Sequence, residues 1–269
     1  MTSRDDREAP ARGRASPGRG ERLDERVVRE GLAESRSVAR GLILAGRVLV
    51  DDEPAEKAGA RVRPERRVRL RSGTRSFVSR GGEKLAGALD ELGIDPRGAR
   101  CLDVGASTGG FTDCLLQRGA AHVVALDVGH GQIHSRLRLD PRVEVRERVN
   151  ARHLEPEDVR GPIDLVVVDV SFISLEQVLP AIDACAPAAD LLLLVKPQFE
   201  VGREQVGKGG VVRDDGLRRA VVDRIVGVAA GLGRGELGRA ESRLPGPKGN
   251  REIFLWLSVR NAEAVRSVE

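Results

Sequence analysis

The sequence predicts an α/β protein: an open, mostly parallel sheet with helices on both faces, preceded by a small α+β unit. Three observations predict it. From Arg80 onward, aliphatic runs of strand length alternate with segments of helical period. One of those runs opens into a glycine-rich turn that leads directly into a helix. Ahead of Arg80 the pattern changes to two short helical repeats followed by brief β-rich runs. A length of 269 residues suits a core plus one module better than a single domain.

Residues 1–21 read as a disordered basic arm, because they are charged, rich in Gly, Pro and Arg, and lack the apolar stretch of a secretory signal. The expected location is therefore cytoplasmic. Residues 22–70 make the small unit. Leu23, Val27, Val28 and Leu32 recur at helical spacing, with Gly31 near the end of that helix. Ser35 suits the cap of a second helix carrying Val38, Leu42 and Ile43, which Gly46 closes. Arg47 to Val50, Val62, and Val68 to Leu70 read as short strands. Residues 71–79 are polar and aperiodic, hence a linker.

Residues 80–269 form the main domain. Strands are expected at 101–104, 123–127, 143–145, 165–169, 191–195 and 253–259, and helices at about 83–93, 110–118, 132–139, 174–185 and 215–232. No long crossover precedes the last strand, so it is expected to pair antiparallel at the sheet edge.

Composition narrows the function. No run approaches the roughly 20 apolar residues of a membrane span, so no membrane partner is expected. Cys101, Cys114 and Cys185 are too widely spaced for a CxxC pair, and the histidines offer no ligand spacing beyond His130 and His134, four apart. We expect no metal. Residues 1–80 hold 20 basic and 13 acidic residues, a net +7, whereas the rest of the chain is at −3. Eight arginines fall within residues 61–80, a field that attracts polyphosphate. Only five of the 45 basic residues are lysines: Lys57, Lys84, Lys196, Lys208 and Lys248. Arginine cannot deprotonate near neutral pH, so a retained lysine invites a specific chemical reason.

The string CLDVGASTGGFTDCLLQRG, starting at Cys101, reads as strand, turn and helix. Its glycines let the backbone approach a ligand, yet the spacing is not GxGxxG, so a dinucleotide fingerprint is not matched. Gly105, Ala106, Ser107, Thr108, Gly109, Gly110 and Phe111 form the candidate cofactor loop. Asp103, near the strand's carboxyl end, would put a carboxylate beside a cationic amino-acid tail, which suits S-adenosylmethionine (SAM). Asp127 ends the next strand, where a carboxylate can accept from ribose hydroxyls, and Asn150 follows the third, within reach of an adenine edge.

Four more charged residues fall at the same edge of the sheet. Lys84 lies inside the first helix, Asp169 closes LVVVDVSF, Lys196 closes LLLLVKPQF, and Glu252 opens the last strand. A charge directly after four or five aliphatics is costly to bury unless paired or functional.

These four, with the glycine loop, resemble the Lys, Asp, Lys, Glu tetrad of the FtsJ-like 2′-O-methyltransferases. The segment RLDERVVREGL with GRVLVDDEP resembles the S4 RNA-binding domain. Jointly, VSRGGEKL, DVGASTGGFT, DVSFISL, VKPQFE, GKGGVVRD and LPGPKGN are similar to the hemolysin-A/TlyA family of ribosomal RNA methyltransferases. The resemblance implies a Rossmann-like SAM-dependent methyltransferase sheet behind an S4-like domain. It implies Lys84, Asp169, Lys196 and Glu252 as catalytic residues, with Asp169 also at the cofactor. It gives Arg22, Arg36, Arg47, Arg66, Arg67, Arg75 and Arg80 a use at RNA. The implied partner is ribosomal RNA or a ribosomal subunit, met by a monomer, and the implied target is cytidine ribose. One departure is visible: the family's linker often carries tryptophan where this chain has Phe77.

Three other readings compete. An inactive RNA-binding ribosome-assembly factor is disfavoured because loop and tetrad are intact. A hemolysin or cytotoxin lacks any spanning or barrel pattern. A base methyltransferase would want aromatic stacking, which is thinly supplied in a domain without tyrosine. Lys248 is read as part of an RNA-touching loop or as a solvent lysine.

Overall fold

The computed structural model describes residues 20–33, 35–44, 46–55, 57–70, 77–207 and 209–259. The basic arm up to residue 19, Arg75 with the segment 71–76, and Lys208 lie outside the described residues. The chain divides into two compact units, residues 1–74 and 75–269.

In the first unit, β1 (Glu21–Arg22) runs into α1 (Leu23–Arg29), which stops because Gly31 adopts φ +71°. Gly31 N–H donates to Val28 O and Leu32 N–H to Val27 O, which satisfies the last carbonyls of the helix. Helix α2 (Arg36–Leu44) begins with Ser35 Oγ accepting from Val38 N–H and ends the same way at Gly46. Strands β2 (Val48–Val50), β3 (Glu53–Pro54), β4 (Arg61–Val62) and β5 (Val68–Leu70) follow, β2 lying between β3 and β5 and β4 pairing with β1. Leu23, Val27, Ala39, Ile43, Val48 and Val68 fill a small core. Asp24 is buried beside it, gripped by Arg22 through two hydrogen bonds, which holds its carboxyl at about 2. Arg26, also buried, donates to the carbonyls of Arg63, Pro64 and Arg66 and so shapes the arginine-rich turn.

The second unit is built on one seven-stranded sheet. Its elements are α3 (Arg80–Leu92), β6 (Arg100–Val104), α4 (Gly110–Gln117), β7 (His122–Asp127), α5 (Ser135–Arg138), β8 (Val143–Glu147), α6 (Pro156–Val159) and β9 (Leu165–Val168). There follow α7 (Leu175–Cys185), β10 (Asp190–Val195), α8 (Pro197–Glu200), α9 (Asp215–Gly231), β11 (Glu236–Glu241) and β12 (Ile253–Leu257). The strand order is β11-β12-β10-β9-β6-β7-β8, with β6 to β10 all parallel. From β6 the chain winds outward to β8 and then crosses back to β9. The crevice beyond the carboxyl ends of β6 and β9 is therefore the switch point where open α/β sheets bind ligands. Apolar layers cover both faces.

Two expectations are corrected here. Strand β12 pairs antiparallel with β10, as its short lead-in suggested, but it is not the edge: β11 hydrogen-bonds to its other side. Helix α3 begins at Arg80, three residues before the expected start. Its Gly82 and the facing Gly110 permit a contact no larger residue allows. A Cβ on Gly82 would lie 2.3 Å from the Phe77 ring, and one on Gly110 would lie 2.1 Å from Ser79 Oγ.

Candidate active site

The glycine loop closes over the end of β6. Gly105 has φ +87°, and a Cβ there would lie 2.6 Å from Asp169 O. Only glycine allows the turn after β6 to touch the turn after β9. The Gly105 and Ala106 amides donate to Leu126 O, which fastens the loop to β7 as well. Asp127 at the end of β7 completes the turn, with Oδ2 accepting from Ser107 N–H and Oδ1 from Gly129 N–H, both at 2.7 Å.

Three adjoining chambers open along this edge, and Asp169 lines all of them. The first, of about 430 Å³, takes its walls from Gly105, Ser107, Asp127, Gln132, Asn150 and Phe172, among others. The second, about 260 Å³, lies against Arg80, Lys84, Ala106, Thr108, Gly110 and Phe111. The third, about 650 Å³, holds Arg80, Lys84, Lys196, Phe199, Lys248 and Glu252. These volumes lie near or within the roughly 300–1,000 Å³ of small-ligand pockets.

All four tetrad residues gather at the third chamber. Lys196, at the N-terminus of α8, places Nζ 2.5 Å from Asp169 Oδ1 and donates to Ser171 Oγ at 2.8 Å. The Lys196 side chain is 10% exposed and that of Asp169 25%. Lys84, on α3, forms a buried ion pair with Glu252, whose side chain is wholly buried and whose Oε1 has no hydrogen-bond partner among the described residues. Two amines and two carboxylates from four separate elements thus converge, each amine matched by one acid.

Other candidates take different places. Asp103 lines none of the three chambers. It is fully buried, and its Oδ2 accepts from Thr112 N–H and Thr112 Oγ1–H, anchoring the start of α4. Burial pushes its carboxyl up to about 7, with the hydrogen bonds from Thr112 pulling the other way. In this position the carboxylate supports the start of α4. Gly109 likewise lines no chamber; with φ +91° it makes the turn into α4. Asn150 lines the first chamber while its Oδ1 accepts from Arg152 N–H.

Of the expected RNA contacts, Arg22 is matched to Asp24 and Arg66 to Asp51. Arg36 reaches Asp24 and Glu25, Arg67 is exposed, and Arg47 is half-buried. Arg80 belongs to the second unit and donates to Pro245 O. Among the described residues no group of three or more His, Cys, Asp or Glu could hold a metal ion, and no helix is long and apolar enough to cross a membrane. His130 pairs with Glu147, and His134 caps α5.

Sequence reasoning missed Gln132, Ser171, Phe172 and Asn250. Ser107 Oγ and Gln132 Oε1 stand 3.3 Å apart across the first chamber. Phe172 is 91% exposed at φ +65°, lines the first and third chambers, and lies 5.0 Å from the Phe199 ring. A bulky residue held at positive φ with its ring in solvent is a signal of function that a sequence does not carry.

Known proteins fit this geometry. The FtsJ-like methyltransferase profile matches residues 77–259, and the S4 domain profile matches residues 21–68. The chain is 53% identical to the 16S/23S rRNA (cytidine-2′-O)-methyltransferase TlyA of Mycobacterium tuberculosis over 246 residues, covering 91% of this chain and 92% of the relative. It is 42% identical to Hemolysin A of Brachyspira hyodysenteriae, covering 87% of this chain and 98% of that one. A solved hemolysin-like protein from Streptococcus thermophilus superposes with a TM-score of 0.71 at 36% identity, covering 93% of this chain and 95% of the other. With a glycine loop folded against Asp169, two amine–acid pairs at one crevice and an S4 domain in front, the chain belongs to the TlyA/hemolysin A group of FtsJ-like methyltransferases.

Proposed function

We propose that this protein transfers the methyl group of SAM to the 2′-hydroxyl of a cytidine ribose in 16S ribosomal RNA, 23S ribosomal RNA or both. The observation that carries the reading is the Lys196–Asp169 pair, whose carboxylate lines all three chambers and whose amine lines the third. Kinship with a relative of that named activity supports the substrate.

The residues present fit SAM. The backbone cradle at Gly105, which a Cβ would close, adjoins a chamber with the Asp127 carboxylate at one wall. Asp127 and Asn150 would hold the adenosine, and Ala106 to Phe111 the amino-acid end, with Asp103 supporting the loop from below. Bound SAM supplies a methyl on a sulfonium, which is already a good leaving group.

The protein's task is then alignment and removal of a weakly acidic proton. Lys196, whose Nζ lines the third chamber, is our assignment for the group that receives the 2′-hydroxyl proton; it first releases its own ammonium proton to water and meets the hydroxyl as the neutral amine. Asp169 and Ser171 fix that nitrogen. Lys84 and Glu252 line the same chamber. Phe172, exposed and tilted against Phe199, offers a face on which the cytosine ring can rest. The S4 domain and its arginines carry the encounter with structured RNA, in the cytoplasm and as a monomer.

Labelled SAM offered to separated, unmodified ribosomal subunits, with nucleoside mass spectrometry of the product, tests the proposal. The expected product is 2′-O-methylcytidine; a methyl on the base with an unmodified sugar would overturn it. Light scattering on the purified protein checks the monomer.

A further inference from the structure

The third chamber holds more positive charge than its acids balance. Lys84 is matched by Glu252 and Lys196 by Asp169. Arg80 and Lys248 line the same chamber, and among the described residues neither forms an ion pair. Arg80 donates instead to the Pro245 carbonyl, at the start of the loop that carries Lys248.

Hydrogen bonds on either side of Lys248 fix the backbone of that loop. Gly246 N–H donates to Asn250 O and Gly249 N–H to Gly246 O. Asn250 is buried; its Oδ1 accepts from Val212 N–H at 3.0 Å and its Nδ2 donates to Gly210 O at 2.9 Å. Between these ties Lys248 sits at φ +61°, a left-handed conformation that an L-residue keeps only when its surroundings impose it. Its Nζ lies over Gly210, where a Cβ would come within 3.2 Å. Lys248 is exposed and lines the third chamber, so a ligand there can reach it.

A nucleotide in this chamber brings negative charge only at its phosphates. A guanidinium fork and an ammonium are the two side chains suited to such an oxyanion. We propose that Arg80 and Lys248 together grip a phosphodiester of the nucleotide being methylated, and so set where its ribose stops before the Lys196–Asp169 pair. The inference rests on the ribose-methylation reading and adds to it a phosphate subsite.

Full-length Lys248→Ala, Lys248→Arg, Arg80→Ala and the double alanine variant test it. Lys248→Ala is expected to raise KM for unmodified subunits about tenfold and to reduce the slope of log binding against log salt by about one. Its SAM affinity should match wild type, and Lys248→Arg should recover most of the loss. If one phosphate is shared, the double variant loses less than the product of the single losses. A wild-type salt slope in Lys248→Ala, or a parallel loss of SAM affinity, would overturn the proposal. The salt slope is read from binding alone, so failure of the wild type to methylate any subunit would count against the functional reading and leave this measurement decisive for the clamp.

Discussion

Lys84 and Glu252, 168 residues apart in the chain, meet as a buried ion pair between α3 and the lead-in to β12. The pair ties the first helix of the domain to its last strand. Lys84→Ala would leave the wholly buried Glu252 carboxyl without its cation, a change that costs about 3–5 kcal/mol in comparable buried pairs. Chemical unfolding of the full chain should show that loss. Lys196→Ala should cost far less, because the Asp169 side chain remains partly in solvent.

Lys196→Arg separates proton acceptance from charge. Arginine keeps the cation beside Asp169 but cannot take up a proton near neutral pH. Methyl transfer is expected to fall by at least about 100-fold, the lower range of what a positioned base contributes. SAM affinity measured by calorimetry should stay near wild type. Turnover close to normal would remove Lys196 from the role of base.

Gly105→Ala should abolish tight SAM binding. The new methyl would meet Asp169 O in a turn already at φ +87°, so the β6 and β9 turns must separate. Calorimetry should show at least about a tenfold weaker complex, the equivalent of about 1.4 kcal/mol.

Asp103 predicts a pH effect. Its folded carboxyl titrates at about 7, above the usual 3.8. Any stability from its proton is therefore fully present below about pH 4 and is lost as pH rises through about 7. Asp103→Asn should hold its melting temperature across that interval while the wild type declines. Parallel melting curves for the two proteins would refute the assignment.

Asp24 carries the opposite sign in the first unit. Arg22 holds its carboxyl at about 2, so the stability it contributes is present above about pH 4 and is lost as pH falls toward 2. Hydrogen exchange followed by mass spectrometry on the full chain should show α1 deprotecting in that window. In Asp24→Asn the window should flatten.

Much of this was legible beforehand because the determining signals are local. Aliphatic runs such as LVVV and DLLLLV can hardly be anything but central strands, and the four tetrad residues stand directly beside such runs or in the first helix. Strand β11, ELGRAE, was not legible: as an edge strand it faces solvent with charged side chains and a glycine, leaving no apolar period. The early start of α3 hid behind Gly81 and Gly82, which read as loop although they exist for contact with Phe77, Ser79 and Phe111. Asp103 reads as a ligand from its strand position; its full burial and its bonds from Thr112 depend on packing that the sequence does not carry. Phe172 and Lys248 share a backbone state that no motif encodes.

That one carboxylate forms part of the wall of all three chambers has a practical corollary for inhibition. A compound joining an adenosine-like head to a ribose-like tail would need a bridge no longer than the width of that partition. Its selectivity over other methyl-transferring enzymes would come from the tail, since residue 248 lines the third chamber and neither of the other two.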